Sequence, residues 1–241
     1  MTHTTSYSGT PMSTILITGA NKGIGLQITA QYANQGHQVI ACCRQPDSAT
    51  ELHKLKESHQ IQIMELAVGE TESVANLAKA LKGKPIDILI NNAGTSGPSF
   101  ENQTAMQMDF EGWADAFNIN AMAPVRVMHA LTDNVKASSA GKIATITSQM
   151  GALSLDMAVA YAYCSSKAAL NKYMKMAALE YVKEGVALCV IHPGWVQTDM
   201  GGPSADITAE QSAAGIIDVI DKLDMSNAGG FFKWDGDTHE W

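Results

Sequence analysis

The stretch that most constrains this chain is an apolar run that leads into a glycine-rich turn and then a helical pattern. Residues 13–18 are apolar and β-branched, which predicts a buried strand, and residues 26–34 have a helical pattern. Glycines at such a junction let the backbone approach a pyrophosphate, and the helix N-terminus offers free N–H groups. A glycine-rich turn alone is more often simply a tight turn, but its place between strand and helix favours a nucleotide site. The turn residues expected there are Gly19, Asn21, Lys22, Gly23, Ile24 and Gly25.

The rest of the chain repeats this alternation of apolar runs and helical patterns. Such an alternation predicts an α/β fold of the Rossmann type, a doubly wound parallel sheet with a helical layer on each face. About seven strands are expected, at residues 13–18, 38–43, 60–68, 85–90, 142–147, 186–191 and 231–234. Because ligands bind beyond the carboxyl ends of the strands in such sheets, the residues that follow the strands should line one crevice. These residues are Gly19, Arg44, Asn91, Ser148 and Pro193.

The longest helix is predicted at residues 110–135, with Pro124 inside it. A proline within a helix leaves a carbonyl without its partner and can kink the helix. Asn120 lies four residues earlier, so its side chain is placed to bind water or backbone at the distortion.

Composition limits the class of protein. The 241 residues include 46% hydrophobic and 17% charged residues, which is typical of a globular protein, and no shift in composition suggests a second domain. The net charge of −8 argues against nucleic acid as a partner, and no apolar run reaches the roughly 18 residues of a membrane span. The four cysteines show neither zinc spacing nor a disulfide framework, so we expect reduced thiols, no metal site and a cytoplasmic protein.

Residues 1–11 are predicted to lie outside the domain. They are rich in Thr and Ser and lack both the basic start and the apolar core of a signal peptide. We expect a disordered extension or a cloning remnant, with Met12 as an alternative natural start. A single domain would then span residues 12–241.

The end of the second strand bears on which dinucleotide would bind. NAD-binding domains have an acidic residue near this point that accepts hydrogen bonds from the ribose hydroxyls. Here Cys43 and Arg44 occupy the place, and no carboxylate lies between Gly36 and Pro46. Arg44 would hold a 2′-phosphate in bidentate fashion, and Lys22 would add a second charge. The alternative is that both are solvated surface cations, but their position favours NADP(H) over NAD(H).

Two residues one helical turn apart suggest acid–base chemistry. Neither Pro nor Gly interrupts residues 160–170, so Tyr163 and Lys167 should share one face of a helix. A fixed ammonium beside a phenol would stabilise the phenolate and lower its pKa from about 10. An isolated pair of this kind is more often an ordinary buried Tyr with a solvated Lys. The other strand-end residues favour the catalytic interpretation.

Together these motifs resemble the short-chain dehydrogenase/reductase family. The resemblance covers residues 12–241. Within the family, residues 161–163 and 192–202 and the short tail that ends in Trp241 are similar to the C-factor and sniffer-type carbonyl reductases. The motifs, in the order of the family, are Thr18-Gly19-x-x-x-Gly23-Ile24-Gly25, Asn91-Asn92-Ala93-Gly94, Asn120, Ser148, Tyr163-x-x-x-Lys167 and Pro193-Gly194.

The resemblance implies a catalytic set of four residues. Tyr163 would be the acid/base and Ser148 would orient the substrate carbonyl. Lys167 would bind the nicotinamide ribose and lower the pKa of Tyr163, while Asn120 would hold a water that links Lys167 to solvent protons.

The resemblance also implies a cofactor set. Thr198 would contact the nicotinamide carboxamide. The other residues expected at the cofactor are Val68, Asn91, Ala93, Gly94, Pro193, Gly194 and Val196. One departure is Ala67, which stands where similar proteins have an Asp that contacts adenine.

These expectations amount to an enzyme that reduces an aldehyde or ketone with NADPH, with Tyr163 as general acid/base. The alternative is a regulatory or signalling protein that binds NADP(H) with little turnover. A structural or interaction module would leave the strand-end residues unexplained. An apolar substrate pocket is suggested by Met150, Leu153, Trp195 and Met200, although apolar residues in such loops more often serve packing.

A homodimer is expected, because helices near residues 120–135 and 163–180 form a four-helix interface in many similar proteins. Apolar and small side chains in these helices either lie at that interface or face the sheet. They include Met122, Val125, Ala168, Leu170 and Met174.

Overall fold

Seven parallel strands form the central sheet of the chain. A computed structural model describes residues 12–241. The extension expected at residues 1–11 lies outside these described residues. The strands are β1 (Thr14–Thr18), β2 (Gln38–Cys43), β3 (Ile61–Glu65), β4 (Ile88–Asn91), β5 (Lys142–Ile146) and β6 (Ala187–His192), then the short β7 (Val196–Gln197) and β8 (Ile207–Thr208), and finally β9 (Phe231–Lys233). The order across the main sheet is β3-β2-β1-β4-β5-β6-β9, and β7 pairs with β8 in a separate parallel ladder. The predicted doubly wound Rossmann-type sheet is confirmed.

Helices cover both faces of this sheet. They are α1 (Gly23–Asn34), α2 (Thr50–Lys56), α3 (Thr71–Ala80), α4 (Phe110–Phe117), α5 (Ala123–Ala130), α6 (Thr132–Lys136), α7 (Tyr161–Tyr181) and α8 (Ala209–Asp221). Ile15 and Ile17 of β1 pack into one apolar core with α1, α2 and α8. Leu16 points the other way, into a second core with α3, α5 and α7. This division follows from the alternation of side chains along a strand.

The predicted helix at residues 110–135 is interrupted. A π-helical turn at Asn118–Met122 separates α4 from α5, and the longest helix is instead α7, with 21 residues. Pro124 has no N–H to donate to the Asn120 carbonyl, so the α-helical pattern cannot pass through it. The Ala123 N–H bonds instead to the carbonyl of Asn118, five residues earlier. The break is therefore built into the sequence by one proline.

The parallel register brings the carboxyl ends of the central strands side by side. Ile17 of β1 pairs with Ile90 of β4, and Ile146 of β5 pairs with Ile191 of β6. The segments that follow these four strands consequently meet along one edge of the sheet. Within residues 12–241, no helix is both long and apolar enough to cross a bilayer.

Candidate active site

Ser148 and Tyr163 meet beyond the carboxyl end of β5. Ser148 begins a 3₁₀ turn in which the Met150 N–H donates to the Ser148 hydroxyl oxygen at 3.1 Å. Tyr163 lies in the first turn of α7, and its phenol hydrogen-bonds with the Ser148 hydroxyl. Two hydroxyl groups held against each other in this way can both reach one oxygen atom of a bound carbonyl compound.

Burial raises the pKa of the Tyr163 phenol, and the hydrogen bond with Ser148 opposes part of that rise. Lys167 Nζ lies 6.0 Å from the centroid of the Tyr163 ring. The expected lowering of the Tyr163 pKa by Lys167 stays a prediction. Desolvation disfavours the phenolate here more than the nearby groups favour it. The phenol is protonated at neutral pH and can act as a proton donor.

Lys167 is buried one turn further along the same helix. Its ammonium donates a hydrogen bond to the Ile146 carbonyl at 3.0 Å. Burial lowers the pKa of Lys167 to about 8, because the charged form loses its hydration. An added Cβ on Gly94 would lie 3.7 Å from Lys167 Nζ and 3.2 Å from Asn120 Oδ1, so glycine lets the loop after β4 pack closely against these two side chains.

Asn120 lies in the π-helical turn and is fully buried. Its Oδ1 accepts from the Thr95 N–H at 2.8 Å, and its Nδ2 donates to the Thr95 carbonyl at 2.8 Å. The same Nδ2 donates to the Ser166 hydroxyl at 3.0 Å, which joins the turn to α7. The expected helix distortion is thus present, and the side chain of Asn120 binds backbone across it. The water expected at this point stays a prediction.

The glycine turn packs tightly against the loop that follows β4. Gly19 has a φ of 66°, and a Cβ there would come within 3.0 Å of the Ala93 Cα. A Cβ on Gly25 would lie 2.3 Å from the Gly19 carbonyl oxygen, so neither position tolerates a side chain. The Thr18 hydroxyl accepts from the backbone N–H groups of Asn92 and Ala93, each at 3.0 Å. Asn21 is exposed at the rim of the turn, whereas Ile24 packs on the core.

The residues at this crevice fit a dinucleotide. Asn91 is buried at the end of β4; its Nδ2 donates to the Thr145 hydroxyl at 3.4 Å. Its Oδ1 is buried and accepts no hydrogen bond from any residue of the described chain. A buried acceptor without a donor costs free energy, and a donor on a bound cofactor would satisfy it. Gly19 and Gly94 have no side chains, so a dinucleotide can come close to the backbone at both positions, which adds to this fit.

Val68 lies on the segment that follows β3, and Arg126 of α5 fixes that segment. Arg126 donates to the Val68 carbonyl at 2.9 Å and to Asn118 Oδ1 at 3.1 Å. The Ala67 N–H is already bonded to the Ser73 hydroxyl at 2.9 Å. Ala67 therefore offers neither a carboxylate nor a free N–H, and the Val68 side chain packs in the second core.

The two cations expected at the 2′-phosphate differ in their partners. Arg44 is exposed just after β2, and its side chain forms no hydrogen bond or ion pair with any part of residues 12–241. Lys22 instead forms an ion pair with Asp199, with 2.7 Å between Nζ and Oδ2. Both side chains of this pair are largely exposed, at 67% and 80%, and the role of Lys22 as a second cation for a 2′-phosphate stays a prediction.

The segment after β6 closes the opposite side of the crevice. The Ser212 hydroxyl donates to the Pro193 carbonyl at 2.6 Å, and Gly194 has a φ of 88°. Val196 is buried in β7. Thr198 lies against the glycine turn, since a Cβ on Gly23 would be 3.3 Å from Thr198 Cγ2. The structure thus brings the segments after β1 and β6 into contact, as expected.

Comparison with known proteins places this arrangement in a family. The family model described as short chain dehydrogenase matches residues 13–208. The chain belongs to the short-chain dehydrogenase family. It is 40% identical over 158 residues to the protein named C-signal of Myxococcus xanthus, an alignment that covers 65% of this chain and 93% of that relative.

Solved structures of carbonyl reductases superpose on nearly the whole chain. The NADPH-bound carbonyl reductase from chicken fatty liver has a TM-score of 0.88 and 30% identity, and the match covers 95% of this chain and 99% of that chain. The carbonyl reductase Sniffer of D. melanogaster has a TM-score of 0.88 and 27% identity, with 96% and 100% covered. The resemblance to C-factor and sniffer-type proteins is confirmed.

Several residues that complete this short-chain dehydrogenase site have no signature in the sequence. Thr95 and Ser166 hold the side chain of Asn120, and the Ile146 carbonyl holds Lys167. Gln103 hydrogen-bonds to the first turn of α7. Each acts through a contact distant in sequence, which no local spacing signals. In residues 12–241, no group of three or more His, Cys, Asp or Glu side chains could hold a metal ion.

Proposed function

We propose that this protein reduces an aldehyde or ketone to an alcohol with NADP(H), with Tyr163 as the general acid. The observation that carries the proposal is the hydrogen-bonded pair of Ser148 and Tyr163, with buried Lys167 one turn along α7. This trio stands at the edge of the sheet where the glycine turn and the segment after β6 meet. Family membership supports an oxidoreductase reaction, and solved relatives at 27–30% identity are named as carbonyl reductases.

The side chains have complementary roles in this reaction. When bound, the dinucleotide supplies the hydride that reduces the carbonyl carbon. The Ser148 hydroxyl binds the carbonyl oxygen, and the Tyr163 phenol donates the proton that oxygen needs to become a hydroxyl. Because burial raises the pKa of Tyr163, its proton is present at neutral pH. The Lys167 ammonium, held by the Ile146 carbonyl, stabilises the phenolate that is left after transfer.

NADP(H) is proposed as the preferred dinucleotide. Arg44 is exposed at the end of β2 without a protein partner in the described chain, so its guanidinium is available for a 2′-phosphate. No carboxylate lies between Gly36 and Pro46 to accept the ribose hydroxyls of NAD. The related chicken carbonyl reductase is described as NADPH-bound, which supports the same choice.

An apolar carbonyl compound is proposed as the substrate. Leu153 on the segment after β5 is 88% exposed, and Trp195 and Met200 on the segment after β6 are about half exposed. Exposed apolar side chains on the two segments that follow β5 and β6 favour a substrate that covers them.

A regulatory or signalling function is the second candidate, favoured by the 40% identity to the protein named C-signal. The two functions differ in turnover. We would follow NADPH oxidation against a panel of apolar aldehydes, ketones, quinones and steroids. Oxidation that depends on a carbonyl compound and on Tyr163 supports the enzyme. NADPH binding without turnover for any member of the panel supports the second candidate.

We also propose a homodimer in the cytoplasm. Leu170 and Met174 are fully buried against the sheet, so they cannot form the interface considered for them. The outer surface of the π turn and α7 has three exposed apolar side chains, Met122, Met176 and Leu179, which are 49–70% exposed. A dimer interface there would remove their apolar surface from water, which is favourable. Light scattering at micromolar concentration tests this, because a monomeric mass contradicts the dimer.

A further inference from the structure

The helix that contains Tyr163 begins without a side-chain cap of its own. Its N-cap residue is Ala160, which has no polar side chain and a φ of 50°, in the left-handed region. The first four N–H groups of a helix have no partner within the helix. Tyr161 and Tyr163 both lie in this first turn, so the position of the catalytic phenol depends on what those N–H groups bind.

Gln103, 60 residues earlier in the chain, supplies two of the missing partners. Its backbone carbonyl accepts from the Tyr161 N–H at 3.2 Å. Its side-chain Oε1 accepts from the Tyr163 N–H, also at 3.2 Å. Gln103 is only 1% exposed, so these bonds form away from solvent. One residue therefore caps α7 through both its main chain and its side chain.

The amide nitrogen of the same side chain holds the opposite wall of the site. Gln103 Nε2 donates to the Ser96 carbonyl at 3.1 Å and to the Pro98 carbonyl at 2.6 Å. Ser96 and Pro98 belong to the segment after β4, next to Thr95, which binds Asn120. Both N–H groups and the carbonyl of the side chain are thus used. The side chain uses one acceptor toward α7 and two donors toward the segment after β4. Glutamine provides this set of groups, whereas carboxylate, hydroxyl and aliphatic side chains do not.

We infer that Gln103 is a positioning residue for the reaction of this site. It fixes the distance between the first turn of α7 and the segment after β4, and thereby aims the Tyr163 phenol at Ser148 and at the carbonyl oxygen. The inference rests on the proposed carbonyl reduction. Misplacement of a reacting group by about 1 Å costs about 100-fold in rate, so loss of this clamp should lower turnover without removing any reacting group.

A purely structural role for Gln103 predicts a different result, and Asn134 provides the matched control. Asn134 is 6% exposed, and its Nδ2 donates to the carbonyls of Leu81 and Lys84 at 2.6 and 2.8 Å. It lies at the opposite end of the strands, because its backbone carbonyl accepts from the Ile86 N–H, just before β4. Its buried amide thus makes equivalent bonds far from Tyr163.

The experiment compares Gln103→Met with Asn134→Leu in the full chain. Both changes remove the side-chain hydrogen bonds at nearly constant shape. We expect kcat for Gln103→Met to fall by about 10- to 100-fold, with the Kd for NADPH within about threefold of wild type. Asn134→Leu should lose thermal stability but keep its kcat. Hydrogen exchange of the Tyr163 amide should accelerate about tenfold in Gln103→Met, while that of Met174 in the middle of α7 stays protected.

The outcomes separate this inference from the proposed function. If wild type reduces a carbonyl compound and Gln103→Met reduces it equally fast, Gln103 is only structural. If wild type reduces none of the compounds, the proposed function fails, whatever the exchange data show.

Should Gln103→Met fail to fold, Gln103→Glu is used in its place. The carboxyl group of this variant accepts hydrogen bonds but donates none when it is ionised, and it gains an O–H donor when it is protonated. The kcat of Gln103→Glu relative to wild type should rise as the pH falls from about 8 to about 5.5, and a constant ratio overturns the inference.

Discussion

The Lys167 ammonium and the Tyr163 ring are one helical turn apart, with 6.0 Å between Nζ and the ring centroid. Lys167 is turned toward the sheet, where it donates to the carbonyl of Ile146. The two side chains therefore share a face of α7, with the ammonium over the ring. Ser148, not Lys167, is the residue that hydrogen-bonds to the phenol. This arrangement separates proton donation from charge stabilisation, and each can be tested on its own.

Replacing Tyr163 by Phe should abolish proton donation and little else. The ring volume is kept, but the hydroxyl that hydrogen-bonds with Ser148 is lost. General acid catalysis is worth about 10²- to 10⁴-fold, and we expect kcat to fall by that factor while NADPH still binds. Tyr161→Phe is the matched control, since Tyr161 is 38% exposed on the same turn, and its kcat should be unchanged. Near-normal turnover in Tyr163→Phe would reject Tyr163 as the acid.

The rate of carbonyl reduction should fall as the pH rises past about 8. Burial lowers the pKa of Lys167 to about 8, so its ammonium is lost above that pH. The pKa of Tyr163 is raised by burial, so the phenol keeps its proton over the same range. A pH profile of kcat/KM reports the free enzyme and should show one descending limb. In Lys167→Arg the charge persists, so any remaining kcat/KM should not change with pH in this range. A descending limb in that variant would show that another group causes it.

Lys167 should also destabilise the folded chain, in a pH window that follows from its pKa. The pKa is about 8 when folded and 10.5 in the reference state, so the unfolded chain binds more protons between these values and stability rises with pH there. Below about 8 the full cost applies, roughly 3 kcal/mol at 1.36 kcal/mol per pKa unit.

Lys167→Met removes that cost and also loses the bond to the Ile146 carbonyl, worth about 1 kcal/mol. We expect a net gain of about 2 kcal/mol in the free energy of unfolding at pH near 7, shrinking as the pH approaches about 10. Urea unfolding of the cofactor-free protein at several pH values measures this. A variant that is less stable than wild type at every pH contradicts the assigned pKa shift.

The positions of the strands and the edge of the sheet that holds the site could be predicted because they depend on local patterns. Apolar β-branched runs specify buried strands, and glycines such as Gly19 mark positions where the backbone needs a positive φ. Pro124 likewise signals the break in the long helical pattern, since it lacks an N–H, although the π-helical form of the turn does not follow from that alone.

The remaining features depend on contacts between distant segments. The rise in the pKa of Tyr163 results from burial in the folded chain, which the Tyr-x-x-x-Lys spacing does not encode. The ion pair of Lys22 with Asp199 joins residues 177 positions apart. Gln103 has no motif around it, and its importance follows only from where its three side-chain hydrogen bonds go. Local patterns thus predict where a site lies, while tertiary packing sets its electrostatics.

Arg44→Ala should weaken NADPH much more than NADH. The structure leaves Arg44 as the exposed cation at the end of β2, while Lys22 is held by Asp199 at the mouth of the crevice. A charge-assisted hydrogen bond contributes roughly 1.5–3 kcal/mol, so we expect the Kd for NADPH to rise by about 10- to 150-fold. NADH has no 2′-phosphate, so its Kd should change by less than about threefold. Nucleotide fluorescence measures both dissociation constants without a substrate.

Lys22→Ala is the control for the loss of a cation near the crevice. It should raise the Kd for NADPH less than Arg44→Ala does, because Lys22 is paired with Asp199. Equal weakening of both dinucleotides in Arg44→Ala, or a wild type that prefers NADH, would show that the 2′-phosphate is not bound at the end of β2.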